Sequence, residues 1–90
     1  MKWIDGNEKS KYYAVCQVAN DNGIMASKLY TIAQNFFHVS PIQCGNKQLK
    51  LYNKIILGKY DFFILANSKQ DVENGKKIIE KIYKELKDNY

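Results

Sequence analysis

Length, composition and charge are those of one small folded domain. The chain has 90 residues, of which 46% are hydrophobic and 26% charged, and this balance excludes a disordered segment. No apolar run approaches the ~20 residues of a membrane span, and the first residues lack the apolar centre of a signal peptide. We therefore expect a cytoplasmic protein with no membrane partner.

The basic residues do not by themselves indicate a polyanionic partner. The net charge is +5, and all 14 basic residues are lysine. Many lie near the C-terminus and alternate with glutamate, which favours a solvated helix face over a phosphate-binding track. The two cysteines, Cys16 and Cys44, lack metal-ligand spacing and are expected to be buried free thiols. No cofactor or metal site is predicted.

The N-terminal residues 1–11 are predicted to be an extension, able to add a strand to a single domain formed by residues 12–90. Asp5-Gly6 is a tight-turn signal that would fold Trp3 and Ile4 back beside the next strand. Residues 12–19 follow as that strand. One of its faces would carry Tyr12, Ala14, Cys16 and Val18, and the other Tyr13, Val15, Gln17 and Ala19.

A cluster of turn formers, Asn20–Gly23, precedes a helix predicted over Ile24–Phe37. The inward stripe of this helix would contain Leu29, Ile32, Ala33 and Phe36. A helix that begins just after a strand offers free backbone N–H groups and a partial positive charge to an anion. Any functional centre is therefore expected at the start of this helix.

The second half of the chain predicts a hairpin followed by another strand. Ile42–Cys44 and Gln48–Lys54 flank Gly45-Asn46-Lys47 and suit the two arms of the hairpin. Residues 55–58 are interpreted as one helical turn or a loop. Tyr60–Ala66 is apolar on both faces apart from Asp61 and is predicted to be a strand.

The last element is a helix that begins near Asp71, which would cap it. Its inward stripe would contain Val72, Ile78, Ile79, Ile82 and Leu86. The order strand, helix, strand, strand, strand, helix in one short chain favours an α+β architecture. We expect an open-faced sandwich, in which both helices cover one face of a four-stranded antiparallel sheet.

This order, together with Gly23-Ile24-Met25-Ala26-Ser27-Lys28 at the first strand-to-helix turn, resembles the HPr phosphocarrier family of the bacterial sugar phosphotransferase system. The turn of that family reads Gly-Ile-His-Ala-Arg-Pro. Its Asn-Gly-Lys hairpin is similar to Gly45-Asn46-Lys47, and its Val-Asn-Leu-Lys-Ser segment resembles residues 49–53. The resemblance covers about residues 12–88 and implies the HPr-like open-faced β-sandwich.

The departures from the family pattern imply that phosphoryl-transfer chemistry has been lost. The family's phosphorylated histidine falls on Met25, whose thioether cannot accept and return a phosphoryl group. The arginine that would hold the phosphate falls on Ser27, and the helix-opening proline falls on Lys28. The family's regulatory serine falls near Asn53. The resemblance thus implies a degenerate member without a catalytic residue.

The residues near this turn have two interpretations. Ser27 and Lys28 could hold an anion, or Ser27 could cap the turn while Lys28 is solvated. In the family, the surface that docks partners combines the first helix with the short second one, which implies contacts from Met25, Leu29 and residues 55–57, Ile55 and Ile56 among them. The same apolar residues could equally belong to the core.

The resemblance also implies an apolar patch on the sheet face that points away from the helices. The last strand of the family is apolar at the positions of Phe62, Ile64 and Ala66, which would therefore face the helices. Strand alternation then sends Phe63 and Leu65 to the opposite face, together with Tyr13 and Val15 of the first strand. Such a patch is seldom bare on a monomer. A second copy could cover it, giving a homodimer, or the tethered Trp3-Ile4 segment could do so, which we favour.

The sequence therefore predicts a non-catalytic, HPr-like protein-interaction or regulatory domain that is not an enzyme and has an unidentified protein partner. The alternative is a small basic nucleic-acid-binding module that stacks bases on Tyr13, Tyr52 and Phe63. The absence of arginine and of a ribonucleoprotein-type motif argues against that alternative. A working phosphocarrier ranks third.

Overall fold

The structure, a computed structural model, describes residues 2–18, 24–37, 41–46, 50–51, 54–55 and 61–88. These residues form strands and two helices. The strands are β1 Ile4–Glu8, β2 Lys11–Gln17, β3 Gln43–Gly45, β4 Lys50–Leu51, β5 Lys54–Ile55 and β6 Asp61–Ala66. The helices are α1 Ile24–Phe37 and α2 Lys69–Asp88.

Four strands form one antiparallel sheet in the order β1-β2-β6-β3. Both helices pack against the same face, because their buried side chains form one core with alternate residues of β2 and β6. The predicted class, α+β with a four-stranded antiparallel sheet and helices on one face, is confirmed at this level. One of the four strands differs from the prediction, since β1 takes the place of the segment 48–54.

The predicted turn at Asp5-Gly6 is wrong, because both residues lie inside β1. The chain reverses at Lys9 and Ser10, and Lys9 adopts a left-handed backbone with φ 56°. Gly6 has a different role, since it lies opposite Tyr13, whose ring occupies the space that a Cβ at position 6 would need. Glycine is therefore needed at position 6 to leave room for an aromatic ring over the strand, and not to form a turn.

The predicted long arm Gln48–Lys54 is also wrong. Lys50 pairs with Ile55 and Leu51 with Lys54, so that β4 and β5 form a separate two-stranded hairpin. Only two residues separate these strands, which is the shortest common hairpin connection. The prediction for residues 55–58 lies outside the described residues except at Ile55, which belongs to β5.

The core confirms the predicted faces of β2 and β6. Ala14 and Cys16 of β2, with Phe62 and Ile64 of β6, lie beneath the helices and are at most 3% exposed. Each of these pairs meets across the strands, Ala14 with Ile64 and Cys16 with Phe62. Burial of this alternating set is the main source of stability expected for the sheet.

Helix α1 has the predicted bounds but a partly different inward stripe. Its buried residues are Met25, Ala26, Leu29, Ala33 and Phe37. Phe36 was predicted to point inward, yet it is 58% exposed. The three- and four-residue spacing from Ala26 through Leu29 and Ala33 ends at Phe37, which takes the last core position.

Helix α2 begins earlier than predicted because Ser68, not Asp71, caps it. The Asp71 backbone N–H donates to the Ser68 hydroxyl over 3.1 Å. Serine followed by an acidic residue three positions later is a capping-box pattern. The inward side of α2 contains Val72, Gly75, Lys76, Ile79 and Ile82.

Candidate functional site

The start of α1, predicted to be the functional centre, contains little that could do chemistry. Met25 is only 6% exposed and packs in the core. Leu29 is fully buried, so the prediction that it contacts a partner is wrong and its core interpretation holds. Ser27 and Lys28 are exposed. The turn Asn20–Gly23 lies outside the described residues.

The hydroxyl of Ser27 links α1 to the end of β3. The Asn46 side-chain amide donates to Ser27 Oγ over 3.1 Å, and Thr31 Oγ1 donates to the Ser27 carbonyl over 3.0 Å. Ser27 lies within the helix and therefore does not cap it. Because Ser27 Oγ accepts the hydrogen bond from Asn46, its own O–H can still donate to an anion. The predicted anion contact through Ser27 therefore stays a prediction.

Several predicted site positions cannot be placed. Asn53, Ile56 and Tyr52 lie outside the described residues, and the side chain of Ile55 is not described. Within the part of the chain that is described, no three His, Cys, Asp or Glu side chains are grouped to hold a metal ion. In the same ranges, neither helix has the length and apolarity needed to cross a membrane.

The sheet face away from the helices carries the four predicted residues in register. Tyr13 lies opposite Leu65, and Val15 opposite Phe63. Val15 and Leu65 are, however, 9% and 7% exposed, so the prediction of an exposed patch is wrong for these two. Side chains of the neighbouring strands flank both residues: Ile4 and Phe63 beside Val15, Tyr13 and Gln43 beside Leu65.

The aromatic residues of this face extend towards the two edges of the sheet. The ring of Phe63 fills the space above Gly45 in β3, as the ring of Tyr13 does above Gly6 in β1. Both aromatic side chains are half-buried. The N-terminal segment lies beside this face rather than over it as predicted. Ile4 pairs with Val15 at the edge and is 65% exposed, and Trp3 packs on the other side with the core.

Trp3 and Asp5 instead attach β1 to α2. The Trp3 indole N–H donates to Glu80 Oε1 over 2.8 Å. The ammonium of Lys76 is paired with Asp5 and with Glu73, the latter over 2.9 Å. The Lys76 side chain is 11% exposed. Burial alone would lower its pKa, but the hydrogen bonds and charges of the two carboxylates outweigh that effect and raise it.

The sequence pattern did not predict the burial of Lys76, because all lysines of α2 were assigned to its solvent-exposed face and only aliphatic residues to its buried face. The spacing from Val72 to Lys76 and on to Ile79 is four and three residues, which places the lysine within the apolar stripe. A lysine inside such a stripe is the signal that predicts a buried ion pair, since an unpaired buried charge is costly. Lys76 is therefore a structural residue that holds β1.

A groove with a volume of about 630 Å³ runs along β3, which is one of the two edge strands of the sheet among the residues that the structure describes. We call it the β3 groove. From α1 it is lined by Tyr30, Gln34, Asn35 and Phe37. From the sheet it is lined by Ile42, Gln43, Cys44 and Phe63. None of these described lining residues is charged. A smaller cavity of about 240 Å³ lies between β1 and the start of α2 and includes Asp5, Lys69 and Glu73.

Cys44 is the one nucleophilic type of side chain among the described residues of the β3 groove, and burial holds it in the thiol form. Burial raises the pKa of the Cys44 thiol from 9.0 to about 11. The unfolded chain would ionise first as the pH rises. The contribution to stability is therefore present below pH 9.0 and is lost as the pH rises towards about 11.

Alkylation should reveal this raised pKa. In a Cys16→Ala variant, which leaves Cys44 as the only cysteine, iodoacetamide near neutral pH should react about 100-fold more slowly than with an ordinary thiol, because two pKa units reduce the thiolate a hundredfold. The rate, followed by intact mass, should increase steeply between pH 9.0 and about 11. A rate equal to that of free cysteine near neutral pH would show that Cys44 is not desolvated.

Comparison with known proteins adds no relative. No family model, curated protein or solved structure matches the chain.

Proposed function

We propose that the chain is a non-catalytic protein-interaction or regulatory domain, related to the HPr phosphocarriers but without their phosphoryl chemistry. The single observation that supports this most is Met25. It occupies the position where the resemblance puts the family's phosphorylated histidine, and its side chain is only 6% exposed. A buried thioether offers neither a nucleophilic nitrogen nor access for a phosphoryl donor.

The surroundings of Met25 support the same proposal. The position of the family's phosphate-holding arginine carries Ser27, whose hydroxyl accepts a hydrogen bond from Asn46. A neutral hydroxyl cannot replace a guanidinium, which binds phosphate through two parallel charged hydrogen bonds. A domain that keeps a folded core and loses these groups can still act by binding, and protein surfaces poor in charge are typical of interface centres.

The test is a mass measurement after incubation with phosphoenolpyruvate and the first enzyme of the phosphotransferase system. We expect the mass of the full chain to stay unchanged, because the thioether of Met25 has no nitrogen that could accept the phosphoryl group from a phosphohistidine donor. An authentic HPr in the same tube provides the positive control and should gain one phosphate. An acid-labile phosphate adduct on this chain, formed in stoichiometric amount, would overturn the proposal.

A further inference from the structure

We propose that the β3 groove is a docking site for an extended, uncharged segment of a protein partner, which adds to the sheet as a strand beside β3. This inference rests on the proposed function, in that the chain is taken to act by binding a protein. It adds the surface and the chemical class of the partner.

The position of the β3 groove is that of a further strand. In the described residues β3 pairs on one side with β6 and ends the sheet on the other. The groove meets side chains from both faces of the sheet at this edge. Gln43 lies opposite Leu65 on the face away from the helices, whereas Cys44 lies opposite Ile64 on the helix face. A volume that spans both faces beside an edge strand has the shape of a strand, not of a compact small molecule.

The length of β3 sets the length of the segment. β3 has 3 residues, Gln43–Gly45, so a strand paired along it would place about three residues beside it. Alternate side chains of the segment would contact Tyr30 and Phe37 on the helix side and Phe63 on the other.

The charges of the two edge strands differ, and this difference indicates which edge can pair with a strand of another protein. The other edge strand, β1, contains Asp5 and Glu8 and is followed directly by Lys9. Charged residues on an edge are a common protection against pairing with another chain. β3 itself, Gln43–Gly45, has no charged residue, and the next charge along the chain is Lys47. The β3 edge thus lacks the protection that the β1 edge carries.

The absence of charge along the described lining also selects the partner. A charged segment would lose its hydration in the β3 groove without gaining a counter-charge, which is unfavourable. Gln34 and Gln43 can bond polar groups of an uncharged segment through their side-chain amides. A second copy of the chain is a poorer occupant, since each copy brings a net charge of +5 and the two repel each other.

The experiment selects short random displayed peptides on the full chain and then titrates one synthesised peptide into isotope-labelled protein. We expect the enriched peptides to share at least about three consecutive uncharged residues, the length of β3. We expect the peptide to shift the amide resonances of Gln43–Gly45 and of Tyr30–Phe37. Enrichment of charged peptides, no enrichment, or shifts located elsewhere would overturn the proposal.

Two lysine substitutions make the test specific. Gln43→Lys places a charge in the β3 groove and should weaken the peptide by at least about tenfold. Asn7→Lys places the same charge on the opposite edge strand and should leave the affinity unchanged. If Gln43→Lys does not fold, Gln34→Lys on α1 replaces it. Equal affinities for the two edge variants would contradict the proposal.

Other occupants give different results in the same samples. A concentration-dependent dimer that shifts Gln43–Gly45 without peptide would assign the β3 groove to a second copy. Nuclear Overhauser contacts between Gln43–Gly45 and residues 48–54 in the free protein would assign it to the chain itself. Either result overturns the proposal but leaves the proposed function standing, whereas a phosphate adduct would remove the proposed function and leave the β3 groove untouched.

Discussion

Replacing Phe62 with alanine is expected to lower the free energy of unfolding by about 3–5 kcal/mol, the usual cost of removing a buried phenylalanine. Phe62 is fully buried at the centre of the core, opposite Cys16. A domain of 90 residues has a total stability of roughly 5–13 kcal/mol. The substitution therefore removes a large part of the stability, and urea unfolding should show a much lower midpoint with a similar slope.

Phe63→Ala is the matched control, since the same side chain is removed from the next residue of the same strand. Phe63 points to the opposite face and is half-buried. Its removal should cost only about 1–2 kcal/mol because less apolar area returns to water. Equal losses for the two variants would contradict the assignment of β6 faces.

Deletion of residues 2–8 is expected to cost about 3–5 kcal/mol, as the sum of several smaller losses. Trp3 loses its packing on the core and its hydrogen bond to Glu80. The ammonium of Lys76 loses Asp5 and keeps Glu73. The deletion also turns β2 into an edge strand, so the truncated chain should self-associate in analytical ultracentrifugation.

Two point variants test whether the N-terminal segment stabilises the domain through the side chain on the helix side of the sheet. Trp3→Ala should lower the melting temperature clearly, because Trp3 lies on the helix side and bonds Glu80. Ile4→Ala should change it little, because Ile4 is 65% exposed on the other side. If the truncated chain melts at the same temperature as the full chain and stays monomeric, β1 is not part of the folded domain.

Local patterns were sufficient for the elements whose signals lie within a few residues. The turn cluster and the helical spacing gave α1 its bounds. Alternation separated the two faces of β2 and β6, while the resemblance implied that Phe62 and Ile64 face the helices, as they do. The sheet side of the core was therefore accessible in advance, whereas Phe36 and Lys76 took unexpected positions on the helices.

Cross-strand relations were not accessible in the same way. Asp5-Gly6 has the local form of a turn, but Gly6 is required because Tyr13 comes to lie over it from another strand. The burial of Val15 depends on neighbours in β1 and β6, and that of Leu65 on neighbours in β2 and β3. Trp3 packs on the helix side of the sheet, where its indole N–H bonds Glu80, a residue 77 positions away in the chain. Such contacts follow from strand pairing, which a local pattern does not specify.

In the candidate site, too, some residues could be identified from a local pattern and others only from contacts between distant elements. The sequence identified Met25 and Ser27 through their alignment with a family turn, while the β3 groove forms only when α1 meets an edge strand. Its residues carry no motif, and what distinguishes them is a shared lack of charge. That property becomes visible once the chain is folded, because the residues come from separate elements.

The most direct test of binding without phosphoryl chemistry is an amide-resonance spectrum of the isotope-labelled full chain. It is recorded with the first enzyme of the phosphotransferase system, before and after phosphoenolpyruvate is added. With Met25 buried in place of a histidine, the resonances of Ile24–Lys28 should keep their positions when phosphoenolpyruvate is added. A second set of resonances for Ile24–Lys28 that appears only with phosphoenolpyruvate would contradict the account.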